Sequence, residues 1–177
     1  MKIGLDLYGV IANHLAEKAE FASRELGASI SEREATREAM IARLGEEEYK
    51  RFARSFSARP FESRLKIQLY SGVSETLTAL QAEGMRFSIV SRRHTMELEP
   101  FVQEYVHGRH KLPIDGIVVV TDDQDKAAAC RKLGVELFFD DNRSVLESLM
   151  ALGIKLVWAN FHGIHDTNEH RFLIAHS

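Results

Sequence analysis

The second half of the chain alternates between two hydrophobic patterns, and this alternation limits the folds open to it. Four short apolar runs are separated by segments whose apolar residues recur at helical spacing, near residues 95–107, 124–133 and 145–152. The runs are Phe87–Val90, Ile117–Val120, Leu137–Phe139 and Leu156–Trp158. Nearly continuous apolar strands that alternate with helices are typical of a parallel sheet covered by helices on both faces.

The first residues of the chain add a fifth strand to this sheet. Residues 2–5 are mostly apolar, the strand ends in Asp6, and Gly9 permits a sharp turn three residues later. The sequence therefore predicts a doubly wound α/β domain with a five-stranded parallel sheet. Ligands bind beyond the carboxyl ends of the strands in such sheets, which is where Asp6 is expected.

The segment between the first strand and the alternating region is helical in pattern. A stripe formed by Leu15, Ala19, Ala22 and Leu26 ends at Gly27, and Ser31 with Glu34 predicts a capping box for a second helix. A third helix is expected over residues 46–56. We therefore predict a core domain of residues 1–11 and 71–177 and a small helical cap of residues 12–70.

Composition narrows the classes of function. The chain has 177 residues, of which 45% are hydrophobic, a formal net charge of -3 and one cysteine, Cys130. This charge gives no reason to expect nucleic acid or an anionic membrane as a partner. No signal peptide or membrane-spanning run is predicted, and a single cysteine excludes an internal disulfide, so we expect a cytoplasmic protein. Its oligomeric state is left open.

Polar residues follow the predicted strands and are expected to converge at one edge of the sheet. Asp6 follows the first strand, Ser91 the second, and the pair Asp140 and Asp141 the fourth, while Lys126 begins the helix before that pair. Clustered carboxylates favour a hard cation such as Mg²⁺. A lysine and a hydroxyl beside them suit a phosphate group, whose transfer depends on positioning and charge neutralisation.

These residues stand in the order and settings of motifs I to IV of the haloacid dehalogenase (HAD) superfamily, and the resemblance extends over nearly the whole chain. The runs around Asp6 and around Asp140-Asp141-Asn142-Arg143 look most like small nucleotidase-type members. The resemblance implies a hydrolase, a phosphatase with Mg²⁺ as its cofactor. Its partner would be a small phosphorylated or anionic metabolite.

Carried over residue by residue, the resemblance assigns each member of the set a role. Asp6 would be the nucleophile that forms an aspartyl-phosphate. Mg²⁺ would be held by the Asp6 carboxylate, the backbone carbonyl of Tyr8 and Asp141, with Asp140 as a further ligand or support. Phosphate would be bound by Ser91 and by the backbone amide of Arg92. Lys126 would neutralise the charge on Asp6 and on the phosphate.

Tyr8 departs from the phosphatase pattern, which has a second aspartate there. In the phosphatases this aspartate protonates the leaving oxygen and then activates water. General acid–base catalysis of this kind accelerates a reaction by roughly 10²–10⁴-fold. A tyrosine with a pKa of about 10 donates a proton but is a poor base at neutral pH. We therefore expect weakened acid catalysis. His14 is a second candidate for the acid.

Two alternatives remain open. Tyrosine occupies this position in metal-independent 2-haloacid dehalogenases, whose aspartate attacks carbon, but Asp140 and Asp141 depart from their Ser and Asn pattern. Such an enzyme would also need an arginine for the substrate carboxylate. The predicted cap offers several: Arg33, Arg37, Arg43, Arg51, Arg54 and Arg59. The second alternative is a catalytically impaired binding or regulatory module.

The C-terminal histidines do not form a zinc pattern. They lack the Cys/His spacing of such sites, and their segment is expected to be a loose tail or an edge of the sheet. The four are His162, His165, His170 and His176.

Overall fold

The structure, a computed structural model, describes residues 1–60, 63, 65–92, 99–159 and 173–175, with backbone alone for residue 99 and for the last three. The chain divides into two compact units. One unit comprises Met1–Ala12 with Leu69–Ser177, and the other comprises Asn13–Gln68. No helix within the described ranges has both the length and the apolar character needed to cross a bilayer.

The first unit is built on a six-stranded sheet in which all neighbouring strands are parallel, in the order β5-β4-β1-β6-β7-β8. A separate two-stranded sheet pairs β2 with β3, where the chain passes between the units. The strands are β1 (Lys2–Leu5), β2 (Ala12–Asn13), β3 (Gln68–Leu69), β4 (Arg86–Arg92), β5 (Ile114–Val120), β6 (Leu137–Asp140), β7 (Lys155–Ala159) and β8 (Leu173–Ala175).

Helices follow the strands as the alternation predicts. Those of the first unit are α4 (Val73–Ala82), α5 (Glu99–Gln103), α6 (Asp125–Leu133) and α7 (Arg143–Leu149). Helix α5 runs into a π-helical stretch, Glu104–Arg109, and α7 ends in a 3-10 turn, Met150–Leu152. The start of the helix predicted from residue 95 lies outside the described residues.

Both faces of the sheet are buried. Val90 of β4, Phe138 of β6 and Trp158 of β7 pack in one cluster with Cys130 of α6 and Leu146 of α7. Phe87 and Ile89 point to the opposite face of β4, because neighbouring side chains on a strand alternate, and both are fully buried as well. The predicted doubly wound α/β class and its five strands are confirmed. The structure adds β8 at the edge beyond β7.

The second unit is helical and has a core of its own. Its helices are α1 (Leu15–Leu26), α2 (Arg37–Leu44) and α3 (Glu46–Ser57). Phe21, Ala22, Met40 and Phe52 are buried together, with the rings of Phe21 and Phe52 5.5 Å apart. That this unit acts as a cap stays a prediction.

One helix of this unit begins later than the sequence predicts. Ser31 and Glu34 do exchange the hydrogen bonds of a capping box, but they close a turn and not the helix. Helix α2 begins at Arg37, where Thr36 accepts a hydrogen bond from the Ala39 amide. The sequence contains two overlapping capping signals for a helix N-terminus, one at Ser31 and one at Thr36. The helix begins after Thr36, which is nearer the apolar run.

Candidate active site

Strand β1 lies between β4 and β6, so the carboxyl ends of these three strands are neighbours. Leu5 pairs with Ile89 on one side and with Phe139 on the other. The Asp6 amide then donates to the Phe139 carbonyl at 2.9 Å, which holds the start of the loop against β6. Asp6, Ser91 and Asp140 therefore lie at the edge where the strand pattern predicts them.

Lys126 links two of the carboxylates. Its Nζ donates to Asp140 Oδ2 at 2.7 Å and to Asp6 Oδ1 at 3.1 Å. Lys126 and Asp140 are almost completely buried, at 2% and 1% exposure, and Asp6 is 8% exposed. Because buried charges are stable only when they are paired, these contacts explain how an ammonium group and two acids are accommodated inside the fold.

The two consecutive acids at the end of β6, Asp140 and Asp141, differ in their surroundings. Asp140 Oδ1 accepts a hydrogen bond from the Asn142 amide at 2.8 Å, and Asn142 in turn accepts one from the Ser144 amide as the N-cap of α7. The carboxylate of Asp141 lies against Gly9. Gly9 has a positive φ of 82°, and a Cβ built there would overlap the Asp141 carboxyl group. The loop after β1 therefore approaches Asp141 closely because residue 9 has no side chain.

The charges of this cluster do not balance, since three carboxylates face one ammonium group. Burial raises the pKa of Asp140 to about 7, and repulsion from Asp6 adds to this rise while Lys126 opposes it. Desolvation of its carboxyl group, with repulsion from Asp140 and Asp6, raises the pKa of Asp141 well above the ordinary value. Burial lowers the pKa of Lys126, but attraction to Asp6 and Asp140 outweighs it and leaves that pKa raised. A bound cation would relieve this excess of negative charge.

The donor set fits a hard divalent cation. Asp6, Asp140 and Asp141 each offer a carboxylate oxygen, and these oxygens lie within 4.8 Å of one another. Oxygen ligands at this density suit Mg²⁺, which is bound through a small number of carboxylates and keeps part of its water shell.

Ser91 and Arg92 end β4. Ser91 is 1% exposed, and among the described residues its Oγ has no hydrogen-bond partner. A buried hydroxyl without a partner is costly, and an incoming anion oxygen would satisfy it. The Arg92 guanidinium pairs with Asp123, with Nη1 2.7 Å from Oδ2, so the predicted contribution of Arg92 rests on its backbone amide.

Tyr8 lies in the loop between β1 and β2 and is partly exposed. Its backbone forms an isolated bridge with Ala12. His14 immediately precedes α1, in the helical unit. The roles predicted for both as proton donors stay predictions.

Several candidate arginines of the helical unit are engaged within it. Arg59 pairs with Glu17 at 2.9 Å and stacks on the Phe56 ring, 3.8 Å from its centroid. Arg43 and Arg51 face Glu34 and Glu48. The four C-terminal histidines lie outside the described residues.

One residue beside the cluster was not among the predicted site residues. The indole Nε1–H of Trp158 donates to the backbone carbonyl of Asp141 at 3.2 Å. The only available sequence signal is its position at the end of an apolar strand adjacent to β6.

Comparison with solved structures identifies the fold. The chain resembles a HAD family hydrolase from Deinococcus radiodurans, determined with bound phosphate and sodium, at 18% identity and a TM-score of 0.66 over 98% of this chain and 90% of that chain. It also resembles a family IA, variant 3 HAD hydrolase from Entamoeba histolytica, at 18% identity and a TM-score of 0.65 over 98% and 92% of the two chains.

A third solved structure is a predicted phosphoglycolate phosphatase from Haemophilus somnus. It is 22% identical with a TM-score of 0.56, over 88% of this chain and 83% of that chain. No family model and no curated protein matches the sequence. The chain therefore has the HAD-like fold, and the resemblance inferred from its motifs is confirmed at the level of the fold.

Proposed function

We propose that this protein is a HAD-superfamily hydrolase, a Mg²⁺-dependent phosphohydrolase that acts on a small phosphate ester through Asp6. The observation that carries the proposal is the buried contact of Lys126 with both Asp6 and Asp140, next to Asp141. Asp6 and Lys126, which are 120 positions apart in the sequence, meet in this cluster, and its charges suit a phosphate and a divalent cation. The solved structures of the same fold include hydrolases and a predicted phosphatase, which supports this class of reaction.

In the reaction we propose, the Asp6 carboxylate attacks phosphorus. The bond from Asp6 to phosphorus forms as the bond from phosphorus to the ester oxygen breaks. The leaving alcohol takes a proton from Tyr8 or from solvent, and the attack by water in the next step returns one. Water then attacks the same phosphorus, which releases inorganic phosphate and restores Asp6. Lys126 holds Asp6 through Oδ1, and attack would use the other oxygen.

The other residues orient and neutralise the phosphate. The Ser91 hydroxyl and the Arg92 amide would donate to its oxygens, while Lys126 offsets its charge. Asp6, Asp141, Asp140 and the carbonyl of Tyr8 would hold Mg²⁺, which supplies charge neutralisation for phosphoryl oxygens. Tyr8 replaces the usual acid, so we expect the highest turnover on esters whose leaving group needs little protonation.

The metal-independent dehalogenase alternative has weaker support. A dehalogenase would account for a tyrosine at position 8. Without a metal ion, however, Lys126 is the positive group that the described part of the chain pairs with this cluster of three acids. Buried carboxylates without sufficient counter-charge are costly, and a cation-dependent enzyme avoids this cost.

Hydrolysis of an aryl phosphate, with Mg²⁺ and with chelator, tests the proposal. The wild type and Asp6→Asn are assayed in parallel, because the amide has nearly the same shape but is not nucleophilic. We expect turnover that requires both Mg²⁺ and Asp6. Turnover by Asp6→Asn would contradict the assigned nucleophile. Halide release from a 2-haloacid without metal would favour the dehalogenase, and phosphate binding without turnover would favour the binding module.

A further inference from the structure

We infer that Trp158 is a positioning residue for the acid pair, holding Asp140 and Asp141 through the peptide unit that joins Asp141 to Asn142. The expected effect on Mg²⁺ affinity rests on the proposed function, whereas the expected effect on the Asn142 amide does not. The contact that carries the inference is the hydrogen bond from the Trp158 indole to the Asp141 backbone carbonyl.

The peptide unit between Asp141 and Asn142 is held at both of its polar ends. Its carbonyl oxygen, that of Asp141, accepts the indole N–H of Trp158 at 3.2 Å. Its N–H, that of Asn142, donates to Asp140 Oδ1 at 2.8 Å. Rotation of this peptide unit would break both hydrogen bonds, so the indole and the Asp140 carboxylate fix its plane together.

The contacts continue to the proposed nucleophile. The second oxygen of Asp140 accepts Lys126 Nζ at 2.7 Å, and the same Nζ donates to Asp6 at 3.1 Å. Trp158 thus stands at one end of a chain of hydrogen bonds that ends at Asp6. The Asp141 carboxylate lies against Gly9. Small movements of the peptide unit would therefore bring this carboxylate into contact with the loop after β1.

Trp158 is well placed to serve as a fixed point. It is 1% exposed and packs in the apolar cluster formed with α6 and α7. Its backbone pairs in register with Asp140, one strand away. A large ring packed in a core has little conformational freedom, so its N–H is held towards the Asp141 carbonyl. Groups that orient metal ligands in this way typically contribute about 10- to 100-fold to metal affinity.

The chain contains one tryptophan, which permits a precise test. A tryptophan analogue with sulfur in place of the ring N–H, supplied during expression, changes this residue alone and preserves its shape. Trp158→Phe is the second variant. Leu149→Val is the control, because Leu149 is fully buried in the same apolar cluster and the substitution costs packing without removing the hydrogen bond.

Two readouts are measured on folded protein. Calorimetric Mg²⁺ titration should give a dissociation constant about tenfold weaker for the analogue and for Trp158→Phe, with no such change for Leu149→Val. Hydrogen exchange of the Asn142 amide, measured without metal, should be roughly threefold to tenfold faster in the first two proteins only. In the wild type, the single indole N–H resonance should shift as Mg²⁺ saturates the protein.

The outcomes separate this inference from the proposed function. Failure of the wild type to bind Mg²⁺ would count against the proposed metal, while Asn142 exchange would still decide the role of Trp158. Unchanged exchange and unchanged Mg²⁺ affinity in the sulfur analogue would overturn the inference. An equal loss in Leu149→Val would overturn it as well, since the effect would then come from packing.

Discussion

Gly9 and Asp141 lie so close together that any side chain at position 9 would occupy the space of the Asp141 carboxylate. Two loops that are distant in sequence, one after β1 and one after β6, meet at this point. The glycine therefore has two separate functions, since it provides the positive φ of the turn and the space for an acid of the proposed metal site.

We expect Gly9→Ala to weaken Mg²⁺ binding, and we expect a glycine substitution with similar backbone strain elsewhere to leave Mg²⁺ binding unchanged. Gly84→Ala is the matched control, because Gly84 has nearly the same φ, 85° against 82°, and open space around its Cβ position. The left-handed backbone should lower the free energy of unfolding of both variants by about 1–2 kcal/mol, and Gly9→Ala should lose more because its Cβ must displace the Asp141 carboxyl group. Thermal denaturation with and without Mg²⁺ should show that only Gly9→Ala loses the stabilisation by metal.

The raised pKa of Asp140, about 7 against 3.8 for an ordinary aspartate, predicts a pH dependence of stability in the metal-free protein. Below pH 4 Asp140 is protonated in the folded and the unfolded chain. Between pH 4 and 7 the unfolded chain loses a proton that the folded chain keeps. The free energy of unfolding therefore falls as pH rises, by up to about 1.4 kcal/mol per pH unit for this group.

Asp140→Asn removes this titrating group and, with it, the repulsion that helps to raise the pKa of Asp141. Urea denaturation in the presence of chelator should show the variant gaining stability relative to the wild type as pH rises from 4 to 7. Mg²⁺ should reduce the pH dependence of the wild type, because the ligating carboxylates must be deprotonated. A stability difference that is independent of pH would contradict the prediction.

Tyr8→Asp should restore a general acid and base at the position where the HAD phosphatase pattern has one. Hydrolysis of alkyl phosphates, whose leaving groups need a proton, should rise by roughly 100-fold. Hydrolysis of aryl phosphates should rise much less. Tyr8→Asn removes the same ring without supplying an acid and should show no gain; equal rates for the two variants would show that protonation does not limit turnover.

Ser91 and Ser88 provide a comparison within one strand. Both are fully buried on β4, and neither hydroxyl has a hydrogen-bond partner among the described residues. Conversion of either to alanine should leave stability unchanged or slightly raised, since no hydrogen bond is lost. Only Ser91→Ala should raise KM for an aryl phosphate and the inhibition constant of inorganic phosphate, by about tenfold. Similar constants for both variants would remove Ser91 from the phosphate site.

The fold and most of the cluster were predictable because they depend on local patterns. Apolar runs mark the strands, and parallel pairing brings their carboxyl ends to one edge, which places Asp6 and Asp140 together without any knowledge of distances. Lys126 followed from its position at the start of α6. The bonds of Lys126 to both acids could not be predicted, since they depend on side-chain packing.

Other features lacked a local signal. The hydrogen bond from Trp158 to Asp141 joins residues on different elements, and nothing in an apolar strand indicates which side chain carries it. Strand β8 is different, since Leu173-Ile174-Ala175 is an apolar run, but this run lies outside the regular alternation of strands and helices. The later start of α2 at Arg37 reflects competition between two N-terminal signals, which only the packing of the helix resolves.

The central place of β1 has a consequence for how the protein is made. On the ribosome this strand emerges well before both of its neighbours, β4 and β6. Until then both backbone edges of β1 are unpaired. Asp6 also lacks its ion pair with Lys126, which lies 120 residues later in the chain. A strand in that state pairs readily with other chains, so the nascent chain is exposed to aggregation until β4 and β6 have left the ribosome.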